Sequence, residues 1–179
     1  MNELLLIVGR TGAGKSTIAK RIAKIFERPI VKSYTTRPMR DSEDEETADH
    51  IFIDQKDIGL YEDDFAAYTK IGKYEYFVTW SLLEDYASKG AIYVIDPIGV
   101  YDLRDSIEKL NKDIKLRILY VRADPQIRMN RAKKRGDNPS ALNDRIEAEK
   151  AQFDCFEKSI DLGREEVLII DNNIENPIY

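Results

Sequence analysis

Cysteine occurs once in this chain, at Cys155, and histidine once, at His50. A lone cysteine excludes a disulfide framework and every paired-thiolate zinc spacing, and its helical surroundings leave a packed or surface thiol, compatible with a reducing cytoplasm. No apolar run approaches membrane-spanning length. The first residues, Met-Asn-Glu-Leu-Leu-Leu-Ile-Val, carry neither a basic leader nor a small-residue cleavage site, so a cytoplasmic location without a membrane partner is expected. Positive charge is in deficit, with 28 Lys and Arg against 33 Asp and Glu and a formal net charge of -5. A nucleic-acid partner is therefore not expected, because such a protein needs a basic face to displace counterions, although a local basic cleft is compatible with this balance. Internal repeats and low-complexity tracts are absent. What is present, 42% hydrophobic and 34% charged residues over 179 positions, fits one globular α/β core with small inserted lobes and a busy surface.

The chain is organised around Gly9-Arg10-Thr11-Gly12-Ala13-Gly14-Lys15-Ser16, which satisfies the G-x-x-x-x-G-K-[ST] spacing. It follows an apolar run at 4–8, and Ile18, Ile22, Ile25 and Phe26 then recur at helical spacing, which gives the strand, loop and helix that the motif requires. Glycines let the backbone turn tightly and aim successive N–H groups at one anion. Gly9, Thr11, Gly12, Ala13, Gly14, Lys15, Ser16 and Thr17 are the candidate nucleotide-binding residues. Lys15 is placed to reach the β- and γ-phosphates and Ser16 to hold Mg²⁺, at a helix N-terminus whose dipole favours the same charge. The alternative is a Gly-rich strand-to-helix turn that binds nothing.

Downstream, Arg28-Pro29 breaks the helix and Ile30-Val31 can form a short second strand. From 33 to 79 the chain is polar, acidic between Asp41 and Asp49, and without helical periodicity until 58–68, which reads as an inserted lobe. Leu82, Leu83 and Tyr86 make a short helix that Gly90 can end, and 91–95 is a second buried-strand candidate closing at Asp96-Pro97. A helix at about 100–110, a strand at about 116–121, helices at 125–134 and about 141–159, and a last strand at 167–170 follow. Asp124-Pro125 reads as an N-cap with proline at the first helical position. This alternation predicts a parallel sheet covered by helices, with ligands at the carboxyl ends of its strands.

The two late helices and their Gly-Pro-containing turn are rich in arginine. Arg128, Lys133 and Lys134 read as a solvated helix face. Arg131 and Arg135, one turn apart on one face, read as a lid over bound phosphate. Arg37 and Arg40 are a fork-shaped pair suited to holding a phosphate, or else ion-pair partners of the acidic run that follows. Ser33 either donates to a base or phosphate or shapes a turn. Asp96 either orders Mg²⁺ waters or the acceptor's sugar or base, or caps a helix.

Taken together, these segments resemble the guanylate kinase family of P-loop nucleoside monophosphate kinases over nearly the whole chain. Ser33-Tyr34-Thr35-Thr36-Arg37-Pro38-Met39-Arg40 resembles that family's S-x-T-T-R-x-x-R segment, which grips the acceptor phosphate. Ala48-Asp49-His50-Ile51-Phe52-Ile53 resembles its D-Y-x-F-V strand, Tyr76 falls at its Y-G-T tyrosine, and Asp96 at the aspartate after its third core strand. Arg131-x-x-x-Arg135-Gly136 resembles its lid, with Arg145 at the later lid arginine. The resemblance implies a core (1–32, 80–124 and 160–179), an acceptor-binding lobe (33–79) and a helical lid (125–159). It also implies ATP and Mg²⁺ as cofactors, the metal near Ser16 and Asp96, and phosphoryl transfer to a nucleoside monophosphate, GMP or dGMP by default. In this reading Lys15, Arg131, Arg135 and Arg145 neutralise the transferring phosphoryl and Arg37 aligns the acceptor. Ser33, Arg37, Arg40, His50, Tyr76 and Asp96 bind it.

Departures from the pattern concern the acceptor. In a gap-free alignment from Phe65 to Tyr76, Ala67 stands where the family's guanine-reading glutamate falls and Val78 where the Y-G-[ST] hydroxyl falls. His50 replaces a phosphate-binding tyrosine; it either donates to phosphate or is a structural histidine. Asp63 or Asp64 are candidates to replace the lost carboxylate. The same departures resemble the ribose bisphosphate phosphokinases, whose acceptor has no base. A non-catalytic guanylate-kinase-like binding module is a further alternative. A P-loop switch lacks support, since no N-K-x-D base-reading segment occurs.

Overall fold

In the computed structural model, which describes residues 2–39, 43, 44, 46 and 48–174, two sheets share the chain. The larger has the order β6-β1-β7-β8 and is parallel throughout. Its strands are β1 (Asn2–Val8), β6 (Ile92–Val94), β7 (Ile114–Arg122) and β8 (Val167–Asp171). Both faces of β1 are covered, which explains its unbroken apolar run. Leu4, Leu6 and Val8 join the main core, while Leu5 and Ile7 face the opposite side with Ile92, Leu119 and Val121.

Helix α1 (Lys15–Phe26) covers that second face through Ile18 and Ile22. Its apolar stripe outruns the sheet, so Ile25 and Phe26 are exposed. The first face is covered by α2 (Trp80–Ser88), α3 (Pro97–Lys109) and α5 (Pro139–Asp161), whose Leu83, Leu103, Phe153 and Phe156 are fully or almost fully buried. Helix α4 (Pro125–Lys134) leaves the carboxyl end of β7 and hands over to α5. Asp96 caps α3, one of the two roles open to it, with Oδ1 accepting the Gly99 N–H at 3.0 Å; Asn138, not anticipated as a cap, accepts the Ser140 N–H on Oδ1 at 2.9 Å. Asp124 precedes Pro125 as expected, yet its side chain makes no cap bond.

The second sheet has the order β3-β2-β5-β4, from β2 (Ser33–Thr35), β3 (His50–Phe52), β4 (Phe65–Ile71) and β5 (Tyr74–Thr79). Two expectations change here. Ile30-Val31 is no strand; Ile30 makes one isolated parallel bridge to Ile92 and the chain enters the second sheet at Ser33. Nor is 58–68 an α-helix: 3₁₀ turns at Gln55–Leu60 and Glu62–Asp64 lead directly into β4. The helix-like spacing of its aromatics has another cause, because Tyr61 and Phe65 converge on Tyr34 and Phe77 with ring centroids 4.6–5.6 Å apart. Among the described residues, no helix is long and apolar enough to cross a membrane.

Candidate active site

Between the carboxyl ends of the parallel strands and the second sheet lies one cleft. It is lined by Gly9, Thr11, Gly12, Lys15 and Ser16 of the loop after β1, by Ser33, Arg37, His50, Ala67, Thr69 and Tyr76 of the second sheet and its connections, and by Asp96, Arg135, Arg145 and Glu149.

The loop is a tightly packed cradle. A Cβ at Gly9 would lie 2.4 Å from the Val121 carbonyl oxygen, and one at Gly12 would lie 2.5 Å from the Arg128 carbonyl oxygen. Gly14 caps α1 in the left-handed region at φ 97, which opens the N-terminal amides of the helix. Lys15 folds back, and its Nζ donates to the Gly9 carbonyl at 2.5 Å and the Arg10 carbonyl at 3.3 Å. Enclosure lowers its pKa to about 8, opposed by the charges of Glu149 and Asp96 and reinforced by Arg145 and Arg135. Of the other loop candidates, Ser16 lines the cleft, Ala13 is buried on the opposite side, and Thr17 is exposed in the first turn of α1.

On the acceptor side Arg37 is 7% exposed and its fork grips Glu43 through two bonds of 2.8 and 3.0 Å, with Phe52 under the guanidinium at 5.2 Å. Thus the cation-carboxylate alternative for Arg37 is realised inside the cleft. The two guanidinium donors thus point side by side at the two oxygens of one carboxylate. Ser33 Oγ lies 3.0 Å from His50 Nδ1, and the His50 ring stands edge-on to Tyr76 at 5.7 Å. Burial, with Arg37 and Arg145 nearby, depresses the His50 pKa to about 4 and keeps the imidazole neutral. Arg145 lies over the Tyr76 ring at 5.9 Å, and its buried Nε has no hydrogen-bond partner among the described residues. Asp96 serves two roles at once: it caps α3 while lining the cleft, and Thr69 Oγ1 donates to its Oδ1 at 3.2 Å. Desolvation raises its pKa.

Not every predicted residue reaches the cleft. Arg131 turns to the back of the loop, donating to the Ala13 carbonyl at 3.2 Å and the Asn172 and Ile174 carbonyls at 2.9 and 2.7 Å. Arg135 lines the cleft but is held by the neighbouring Asp137. Arg128 is half-buried with an unpartnered Nε, rather than solvated, because its helix packs on Gly12. Asp64 accepts the Ser81 N–H at 3.2 Å, and neither it nor Asp63 lines the cleft. Arg40 lies outside the described residues. Ala67 and Val78 are buried and pair across β4 and β5; Ala67 lines the cleft, whereas Val78 lies in the core and does not, so neither position offers a polar reader.

Sequence reasoning missed Glu149 and Thr69, while Glu43 belongs to the acidic run expected as an ion-pair alternative for Arg37. Glu149 carried one readable signal, its position one helical turn after Arg145 and one before Phe153.

A strand, phosphate-binding loop and helix on a parallel sheet, with an inserted lobe and an arginine-bearing helical hairpin, define a nucleotide-binding P-loop protein of the nucleoside monophosphate kinase fold. A family model described as AAA domain matches residues 5–153, and the chain belongs to that family. Among solved structures, the guanylate kinase from Anaplasma phagocytophilum has the same fold. The TM-score is 0.59 at 16% identity, over 97% of this chain and 78% of that one. None of the curated proteins matches in sequence.

Proposed function

We propose that this protein transfers the γ-phosphoryl group of ATP to the phosphate of a nucleoside monophosphate, with GMP and dGMP the first acceptors to test. The observation that carries this reading is the single cleft in which the phosphate-binding loop, Arg37, Arg135 and Arg145 share one volume with Ser33, His50, Tyr76 and Asp96. A binding module would have no need of a Lys15 enclosed beside that acceptor pocket.

Phosphoryl transfer asks for positioning and charge neutralisation more than for a strong base. Lys15 would leave the Gly9 carbonyl for the β- and γ-phosphate oxygens. Arg145, with its open Nε, and Arg135, once released from Asp137, would meet charge on the transferring group. Arg37 would exchange Glu43 for the acceptor phosphate, with His50 as a neutral donor or acceptor beside it. Thr69 and Asp96 would face the acceptor's sugar or base.

The donor set fits Mg²⁺. Ser16 and Asp96 offer hard oxygen ligands on the same cleft, and a metal shared with nucleotide phosphates needs only one or two protein ligands. No cluster of three or more His, Cys, Asp or Glu occurs among the described residues that would hold a metal unaided. When bound with ATP, the ion would neutralise phosphate charge. A cytoplasmic location, where ATP is plentiful and Cys155 stays reduced, accords with this chemistry.

The apolar pair Ala67 and Val78 supports a second reading, in which the acceptor is a sugar phosphate such as ribose 1,5-bisphosphate. One coupled assay separates the readings: ATP with each ribo- and deoxyribonucleoside monophosphate and with ribose 1,5-bisphosphate. Transfer to a nucleotide is expected. Transfer only to the sugar phosphate selects the second reading, and transfer to none refutes both.

A further inference from the structure

Helix α5 is strapped along the phosphate-binding loop. Glu149, 3% exposed, accepts the Thr11 N–H at 2.9 Å on Oε1 and the Thr11 hydroxyl at 2.8 Å on Oε2. One turn on, the Phe153 ring lies 5.4 Å beneath the Arg10 guanidinium. A further turn on, Glu157 accepts from Arg10 at 2.8 and 2.7 Å, and Asp154 accepts from the same guanidinium at 2.6 Å. One turn before Glu149, Arg145 reaches across to the Tyr76 ring on the acceptor side. A single helix face thus touches both halves of the cleft.

Removing a carboxylate from water is costly, and an apolar side chain could pack a helix on a loop at lower cost. Two acceptor oxygens, however, fix direction as well as distance. Those of Glu149 meet one backbone and one side-chain donor of the same residue, so the Thr11 corner can neither rotate nor slide along the helix without breaking a buried bond. We propose that Glu149 is a positioning residue for phosphoryl transfer, holding the Thr11 corner so that the phosphate-binding loop and Arg145 keep one fixed relation. This inference rests on the kinase reading above. Glu149 acts through Thr11 and Arg145 and need not touch the transferring group.

The test compares Glu149→Gln, Glu149→Ala and Thr11→Val in the full chain, measuring kcat, both KM values, ADP affinity and Tm. Misplacement of this kind lowers kcat for Glu149→Ala by about 30- to 100-fold while ADP affinity changes less than about threefold. Glu149→Gln retains an oxygen for the Thr11 N–H and an amide group that can donate to its hydroxyl, and should recover kcat to within about fivefold of wild type. If Glu149→Ala does not fold, Thr11→Val, which deletes one of the two donors to Glu149, should lower kcat by about tenfold with acceptor KM held. A folded Glu149→Ala with wild-type kcat overturns the inference, as does a Glu149→Gln no better than Glu149→Ala, or a Thr11→Val indistinguishable from wild type. If the wild type itself transfers to no acceptor, the kinase reading and this inference fall together. If the wild type transfers and the variants match it, the inference falls alone.

Discussion

Replacing His50 by glutamine should flatten the acid side of the stability curve. In the folded protein the imidazole is enclosed beside Arg37 and Arg145, and it takes up a proton only near pH 4 instead of the ordinary 6.5. Between those values the unfolded chain binds a proton that the folded chain does not, so falling pH favours unfolding. The contribution is fully present above the unfolded value and is lost progressively from pH 6.5 towards pH 4. For a single group with these two values, linkage gives a loss of about 2 kcal/mol between pH 7 and pH 5. Other groups titrate over the same interval, so the quantity to measure is a difference of differences. Urea unfolding of wild type and His50→Gln at both pH values should show a wild-type drop larger by about 2 kcal/mol. Glutamine can keep a bond to Ser33, which limits other damage. Parallel pH dependences in the two proteins would refute the enclosed, neutral imidazole, whatever their absolute stabilities.

Lys15→Ala should lower kcat/KM by about 10²–10³, the usual scale for one lost charge partner of the transition state, with little change in Tm; wild-type turnover would end the phosphate-loop assignment. Arg37→Ala should raise acceptor KM more than it lowers kcat, because in the proposed reaction the fork now closed on Glu43 would serve acceptor binding, whereas Arg135→Ala should show the opposite bias. Indistinguishable kinetic profiles would mean that the two arginines do not divide the work. Ala67→Glu with Val78→Thr should raise the GMP-to-AMP ratio of kcat/KM by about tenfold if ~1.5 kcal/mol of charged hydrogen bonding is gained. The same change should lower the Tm of the free protein, since it buries an unpaired carboxyl group. Strong GMP preference already in the wild type would place base reading elsewhere, with Thr69 and Asp96 the side chains in position for it.

The local features that carry their own physics were legible in the sequence. Buried strands read as apolar runs, α1 followed from its glycine-led start, and Asp96 caps a helix as one of the roles its residue type allows. The misreading at 58–68 shows the limit of periodicity: Ile58, Tyr61, Phe65 and Tyr68 keep helical spacing, yet two 3₁₀ turns and a strand bring Tyr61 and Phe65 to one aromatic cluster. Arg131 and Arg135 share a helix face but not a destination, because the loop after β8 draws Arg131 behind the phosphate-binding loop. Glu149 stood out little, since its spacing from Arg145 and Phe153 tells only that it shares their helix face. Its partner Thr11 lies 138 positions away, and no local pattern announces a carboxylate whose donors come from the far end of the chain.

The contact between Gly12 and the Arg128 backbone, where a Cβ would come within 2.5 Å of the carbonyl oxygen, has a mechanical consequence. It embeds the first turns of α4, and the Arg131 bonds embed the next; α5 is embedded from Glu149 onward. The hairpin between these anchorages is a cantilever with two fixed roots, so its free end can bend but cannot pivot as a block. Arg135 near that end would then approach a phosphate in the cleft by flexure, against a restoring force set by the beam, while Arg145, one turn from Glu149, stays with the fixed root. Gly136, at φ 83 with no atom within 4 Å of the place a Cβ would occupy, is where that beam is thinnest.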